Sequence, residues 1–191
     1  MAHLSILGTG NMGQAIAAIA GKGGHTVQLL GTNDADTQVT GDIVVLAVPY
    51  PAIAQIVATR GESLAGKIVV DITNPLNFET FDSLVVPADG SAAAEIAAAL
   101  PQSSVLKAFN TNFAATLASG TVGSQKTTVL IAGDDADAKS TLAGVITSGG
   151  LDAVDAGALS RARELEALGF LQLTLAVREK ISWTGGFGVV A

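Results

Sequence analysis

The chain has 191 residues, 49% of them hydrophobic and 14% charged, which supplies a sizeable core and excludes a disordered polymer. A net charge of −7 argues against a nucleic-acid backbone or an anionic membrane surface as partner. With no cysteine, disulfides, thiolate metal sites and a cysteine nucleophile are excluded, and two histidines are a poor basis for a metal site. The first residues lack a basic n-region, and no apolar run reaches the ~20 residues that span a bilayer, so a cytoplasmic protein is expected.

Leu4–Leu7 reads as a short apolar strand running into Gly8-Thr9-Gly10-Asn11-Met12-Gly13 and then a helix carrying Ile16 and Ile19. The spacing is Gly-x-Gly-x-x-Gly. Gly8 permits a tight turn, Gly10 leaves room for a pyrophosphate against the backbone, and Gly13 lets the helix pack closely. The helix start adds free N–H groups and the positive end of a dipole. Gly21–Gly24 ends the helix and His25–Leu30 reads as a second strand. The motif therefore opens a complete βαβ unit, the setting of a NAD or NADP site.

Asp42–Val48 is a continuous apolar run, as in a central parallel strand; Pro49-Tyr50-Pro51 closes it and Ala52–Val57 begins a helix. Lys67–Asp71 is a fourth strand, followed by the turn Thr73–Leu76 and a polar connection over 77–90. Ser91 caps a helix through Glu95 to Leu100, with Pro101 beyond it. Ser104–Phe109 and Thr127–Ala132 are two further strands, Asp135–Ser148 a helix and Leu151–Ala156 a last strand. A long helix is expected from about Arg161 to Ile181.

This alternation predicts an α/β fold: a Rossmann-type, doubly wound parallel sheet with helices on both faces, one domain over 1–191. Ligands of such sheets sit beyond the carboxyl ends of the strands, where strand order reverses. That gathers five loops: Gly8–Gly13, Gly31–Asp34, Pro49–Pro51, Thr73–Leu76 and Asn110–Ala114. Prolines there stiffen the loops, and asparagines can hydrogen-bond a carboxamide or a ribose.

An acid at the end of the second strand would bind ribose hydroxyls and mark NAD. The chain has Leu30-Gly31-Thr32-Asn33 there; Asp34 and Asp36 follow and are expected to point away. The missing acid favours NADP, with NAD the alternative. No cation stands between Lys22 and Arg60, so a 2′-phosphate would rely on Thr32, Asn33 and backbone N–H groups. Catalytic groups are equally sparse. His3 and His25 fall at the amino edge of the sheet, and Tyr50, the sole tyrosine, is not followed by the Tyr-x-x-x-Lys spacing of a proton relay. Lys107 reads as a strand-end cation. No acid or base is assigned, which suits direct hydride transfer between two redox cofactors, where the protein supplies position. A binding or sensing protein without turnover is the other class, and reduction of a small imine or carbonyl a third.

Gly8-Thr9-Gly10-Asn11-Met12-Gly13, the Asp42–Pro49 strand and turn, Lys67–Asp71 and Lys107-Ala108-Phe109-Asn110-Thr111 form an ordered set. Asp155–Leu159 followed by Arg161–Glu166 completes it. Together they resemble the NADPH-dependent reductases of the deazaflavin coenzyme F420, including bacterial dinucleotide-binding members, over nearly the whole chain. The resemblance implies a homodimeric Rossmann protein that uses NADP, with a flavin- or deazaflavin-type acceptor. It places the nicotinamide near Asn110–Ala114 and Pro49 along the cofactor. The chain departs from it at Thr32-Asn33, where NADP-binding members often have Ser/Thr-Arg, and in a short link to the third strand.

The cofactor-binding set is therefore Gly8, Thr9, Gly10, Asn11, Met12, Gly13, Gly31, Thr32, Asn33, Ala47, Val48, Pro49, Tyr50, Asn74, Asn110, Asn112, Phe113 and Ala114. Ala167–Val177 is apolar on nearly every side of a helix, interrupted only by Gln172 and Thr174. A surface helix should show a polar opposite face. The helix and the tail from Trp183, together about 161–191, are expected to bury each other across a two-fold dimer and complete the acceptor pocket. Arg161 and Arg163 are expected as solvated helix-end charges or as contacts to an anionic acceptor.

Overall fold

A computed structural model describes residues 1–190. The hydrophobic runs become strands β1 (His3–Leu7), β2 (Thr26–Leu30), β3 (Ile43–Leu46), β4 (Ile68–Asp71) and β5 (Ser104–Lys107). Between them lie helices α1 (Asn11–Lys22), α2 (Ile53–Leu64) and α3 (Ala92–Ala99). The chain continues through α4 (Ala114–Ser119), a small hairpin of β6 (Thr121–Val122) and β7 (Gln125–Lys126), β8 (Thr128–Gly133), α5 (Ala136–Ser148), β9 (Asp152–Gly157) and α6 (Ala162–Val177). The long last helix is thus shorter than its apolar pattern predicts, and α4 with its hairpin occupies a stretch that carried no clear periodicity.

The main sheet has seven strands in the order β2-β1-β3-β4-β5-β8-β9. Strand order reverses at β1, between β2 and β3, so the glycine turn after β1 stands at the switch point. The first five strands are parallel, as expected. At the other edge the sheet differs from the all-parallel reading: β8 joins β5 antiparallel, pairing Leu106 with Gly133 and Lys107 with Ala132. The reason is the length of the connection. The six residues of α4 advance only about 9 Å, too little to carry the chain back across the sheet, so β8 starts at the carboxyl edge and runs down. The thirteen-residue α5 makes a full crossover, and β9 lies parallel to β8.

Alternate strand residues feed two cores. Leu4, Ile6, Ile43, Val45 and Leu106 face α1 and α5 through Ile16, Ile19, Leu142 and Ile146. Leu7, Val44, Leu46, Val69 and Val105 face α2 and α3 through Ile53, Leu64, Ile96 and Leu100. All four residues of β3 are buried, which explains its unbroken apolar run. No helix links β2 to β3: a short 3-10 turn, Thr32–Asp34, and an extended stretch do so, with Val39 filling the second core in place of a helix. Ser91 caps α3 by accepting from Ala94 N–H at 3.1 Å, and Asp135 caps α5 through Asp137 and Ala138. Among the described residues no helix is long and apolar enough to cross a membrane.

Helix α6 turns Glu166, Gln172 and Thr174 inward, while Arg163 and Glu164 at its start are exposed. Glu166, Gly169, Gln172 and Thr174 are buried, whereas Leu171 and Val177 are exposed. Gln172 and Thr174, which interrupt the apolar pattern, thus lie on the inner side: Gln172 donates to Thr111 O at 3.1 Å and accepts from Phe187 N–H at 3.1 Å.

Candidate functional site

The turn after β1 has the geometry its glycine spacing requires. Gly8 adopts φ +121°, and a Cβ there would lie 2.0 Å from the Ala47 carbonyl oxygen. A Cβ on Gly13 would lie 2.0 Å from the Gly8 carbonyl oxygen. At Gly10 nothing stands within 4 Å of an added Cβ, so the backbone is open to an approaching group at the start of α1. Two glycines are demanded by the fold and the middle one leaves a cradle, the division of labour a pyrophosphate site needs.

Two cavities meet at this loop. One, of about 630 Å³, is lined by Gly8, Thr9 and Gly10, by Leu30, Gly31 and Thr32 after β2, by Ala47, Val48 and Pro49 after β3, and by α2. The other, of about 430 Å³, takes Asn11 and Met12 from the same loop. Its walls add Ile72, Asn74, Asn110, Asn112, Phe113, Ala114, Ala115, Leu173 and Trp183. None of those side chains titrates. A larger depression, about 750 Å³, lies at the amino edge around His25, but it lacks a phosphate turn. There His25 bonds Ala2 N–H and Ser148, and His3 bonds Thr26 and Thr40, so both histidines are spent on structure.

Three residues of the expected set stand outside these walls. Gly13 supports the turn from below. Asn33 is exposed on the 3-10 turn and contributes nothing to the lining. Tyr50 turns toward α3, where its hydroxyl donates a short hydrogen bond to Glu95 and forms part of a separate cavity between α2 and α3. Burial, reinforced by the Glu95 carboxylate, pushes the Tyr50 phenol up to about 12. Of the two acids expected to point away, Asp34 folds its carboxylate back to accept from Gly31 N–H at 2.8 Å and stays out of the lining, whereas Asp36 lines the cavity.

The amide wall is built by the end of β5. The chain leaves the strand through Phe109, buried and in the left-handed region at φ 62°. Asn110 then donates to Asn74 Oδ1 at 2.9 Å and to Leu165 O at 2.8 Å, while Asn74 donates to Asn110 O at 2.8 Å. Asn112 donates to Thr128 O at 3.1 Å. The amide oxygens of Asn110 and Asn112 and the Thr73 hydroxyl are buried with no partner. Unpaired amide oxygens beside the cavity suit a ligand carboxamide that brings N–H donors.

Beneath this wall lies a cluster the sequence did not announce. Lys107 ends β5 as expected but is fully buried; its ammonium donates to Asp71 at 2.8 Å, Glu166 at 2.8 Å and Thr73 O at 2.5 Å. Glu166 also accepts from Ala92 N–H at 2.9 Å and Ala93 N–H at 3.3 Å, at the start of α3. Burial outweighs these partners and holds its carboxyl above the usual range. The cluster ties β4, β5, α3 and α6 together under the amide wall. Gly169 lets α6 come close: a Cβ there would lie 2.3 Å from Asn74 Oδ1. A glycine inside a helical run was the one available signal for this contact. Trp183 packs on Phe113 with ring centroids 5.0 Å apart. Arg163 pairs with Glu164 at 2.9 Å and Arg161 with the same residue at 3.6 Å, on the surface.

Residues 27–75 match the family described as NADP oxidoreductase, coenzyme F420-dependent. The chain is 30% identical over 166 residues to the F420-dependent NADP reductase of Methanocaldococcus jannaschii, covering 85% of this chain and 74% of that one. It is 36% identical over 107 residues to the metalloreductase STEAP3 of Rattus norvegicus, over 56% of this chain but only 21% of that longer protein. A crystal structure from Arthrobacter sp. FB24, assigned as an F420-dependent NADP reductase, superposes with a TM-score of 0.85 at 27% identity, over 98% of this chain and 99% of that one. A Rossmann-type sheet, its glycine turn at the switch point and an identity that runs along most of the chain converge on one assignment: the protein belongs to the family of coenzyme F420-dependent NADP oxidoreductases.

Proposed function

We propose that this chain transfers hydride between NADP(H) and a planar redox acceptor of the flavin or deazaflavin type. The observation that carries the reading is the cavity beside Asn11 and Met12: among the described residues amides, apolar groups and two aromatic side chains line it, and no acid or base does. Bound NADPH supplies two electrons and a proton as hydride from its nicotinamide ring, leaving NADP⁺. Gly8, Thr9 and Gly10 cradle the pyrophosphate, and Gly31 and Thr32 flank the adenosine ribose. Asn110 and Asn112 offer their unpaired amide oxygens to the carboxamide, while Ala47, Val48 and Pro49 stiffen the floor. Phe113, Ala114, Leu173 and Trp183 exclude water from the facing acceptor. An imine or carbonyl substrate would call for a proton donor that this wall does not supply.

A second copy of the chain is the proposed cover for the apolar side of α6 and the tail. Leu171, Val177, Trp183, Phe187 and Val190 on these two segments are exposed. Light scattering tests this: a dimer is expected, and a monomer of 19.1 kDa at micromolar concentration overturns it.

The activity test is anaerobic NADPH oxidation against a deazaflavin, free flavins, quinones and ferric chelates. Turnover with a planar two-electron acceptor is expected. Tight NADPH binding with no turnover on any acceptor would replace the enzyme reading by a sensing one.

A further inference from the structure

Helix α2 presents one stripe to the adenosine half of the cleft. Ala52, just before it, then Gln55, Ile56, Thr59 and Arg60 all line that cavity, the three-and-four spacing of a single helical face. Among the described residues that line it, Arg60 is the only cation and Asp36 the only anion. Its guanidinium donates to the carbonyl oxygens of Asp34 at 2.5 Å, Ala35 at 2.6 Å and Thr37 at 2.7 Å. All three partners are neutral. Among the described residues Arg60 forms no ion pair, and Asp36 is the carboxylate that shares the cavity with it.

This arrangement exists because no helix stands between β2 and β3. In its place the 34–37 stretch wraps onto α2, and Arg60 reaches across 23 to 26 residues of sequence to hold it. The carbonyls fix the plane of the guanidinium and leave N–H donors to spare. Thr9, Gly31 and Thr32 line the same cavity. Asp34, the acid nearest the end of β2, spends its carboxylate on Gly31 N–H and is not part of the lining.

We propose that Arg60 reads the 2′-phosphate and selects NADP(H) over NAD(H), so that the discriminating cation comes from α2 and not from the turn after β2. The inference rests on the NADP reading above. A dianionic phosphate entering beside Thr32 meets a preset, unpaired guanidinium, whereas an unphosphorylated ribose gains nothing from it.

Wild type, Arg60→Ala and Arg60→Lys are titrated with NADPH and NADH by nicotinamide fluorescence, and with 2′,5′-ADP and 5′-ADP by calorimetry. Arg60→Ala is expected to weaken NADPH and 2′,5′-ADP about tenfold or more, with NADH and 5′-ADP within about twofold of wild type. Arg60→Lys keeps the charge and retains part of the preference. If Arg60→Ala weakens both members of each pair equally, Arg60 is only a latch on the 34–37 turn and the proposal fails; it fails too if neither changes. Thermal melts accompany each variant, and if the alanine form is too unstable, Arg60→Lys and Arg60→Gln decide on the same ratio. A wild type that binds NADH as tightly as NADPH overturns the NADP reading itself, an outcome visible before any variant is made.

Discussion

Replacing Lys107 by Met tests how much the buried cluster contributes. The methionine keeps the volume and removes the ammonium. Asp71 and Glu166, both 0% exposed, would then face each other with no cation between them. Asp71 retains Thr73 N–H, and Glu166 retains Ala92 and Ala93 N–H, but two carboxylates remain buried. Breaking a buried pair in this way costs about 3–5 kcal/mol. For a chain of this size each kcal/mol moves Tm by about 2–4 °C, so a fall of roughly 6–20 °C is expected at neutral pH. Calorimetry or far-UV circular dichroism melts read it. The pH dependence supplies a second criterion. The Glu166 carboxyl is already held above its ordinary value of 4.5, so the folded state binds its proton more tightly than the unfolded chain does. Stability from this group is therefore greatest below that value and falls as pH rises through the raised one. Loss of Lys107 pushes the carboxyl further up, so the deficit should shrink on acidification toward pH 4.5. Adding Glu166→Gln to Lys107→Met should recover part of the loss, a coupling of about 0.5–3 kcal/mol. A Tm within about 2 °C of wild type, or a deficit indifferent to pH, would refute the account of the cluster.

Three further outcomes are expected. Gly10→Val should leave Tm unchanged, because the position is open and its φ of −71° suits any residue, yet weaken NADPH binding by at least about tenfold. Gly13→Ala should instead cost about 1–3 kcal/mol of stability, since its methyl meets the Gly8 carbonyl, and equal melts for the two variants would contradict the division of roles. Ala114→Leu should slow turnover with the best acceptor while 2′,5′-ADP binds as before; unchanged turnover would remove Ala114 from the acceptor wall. Tyr50 is the sole tyrosine, so phenolate absorbance reports it alone, and half-ionisation near pH 12 is expected, with stability falling as pH rises above 10. An ordinary titration near 10 would show that the Glu95 contact does not persist.

Local and periodic features of the sequence were sufficient for the frame. Three glycines at fixed spacing between an apolar strand and a helix determine the turn, because its geometry depends on φ and on contacts within a few residues. The unbroken apolar run of β3 determines a central parallel strand, since both its faces must be covered. The loops of the candidate site follow from topology, which places the carboxyl-end turns of the five parallel strands on one edge. Contacts between distant segments were decided only in three dimensions. Lys107 meets Glu166 across 59 residues, and Arg60 meets the 34–37 turn across more than 20. Neither pairing leaves a periodic trace, so neither the burial of Lys107 nor the reach of Arg60 had a signal in the sequence. Tyr50 looked like part of the cleft because it follows Pro49, but a hydrogen bond to α3 turns it away. Helix α6 misled most. By composition it is apolar on nearly every side, yet Glu166 and Gln172 are buried on its inner face, because Lys107, the α3 N–H groups and the Thr111 carbonyl take them as partners. A buried polar group goes where its hydrogen bonds are, and only the assembled sheet shows where that is.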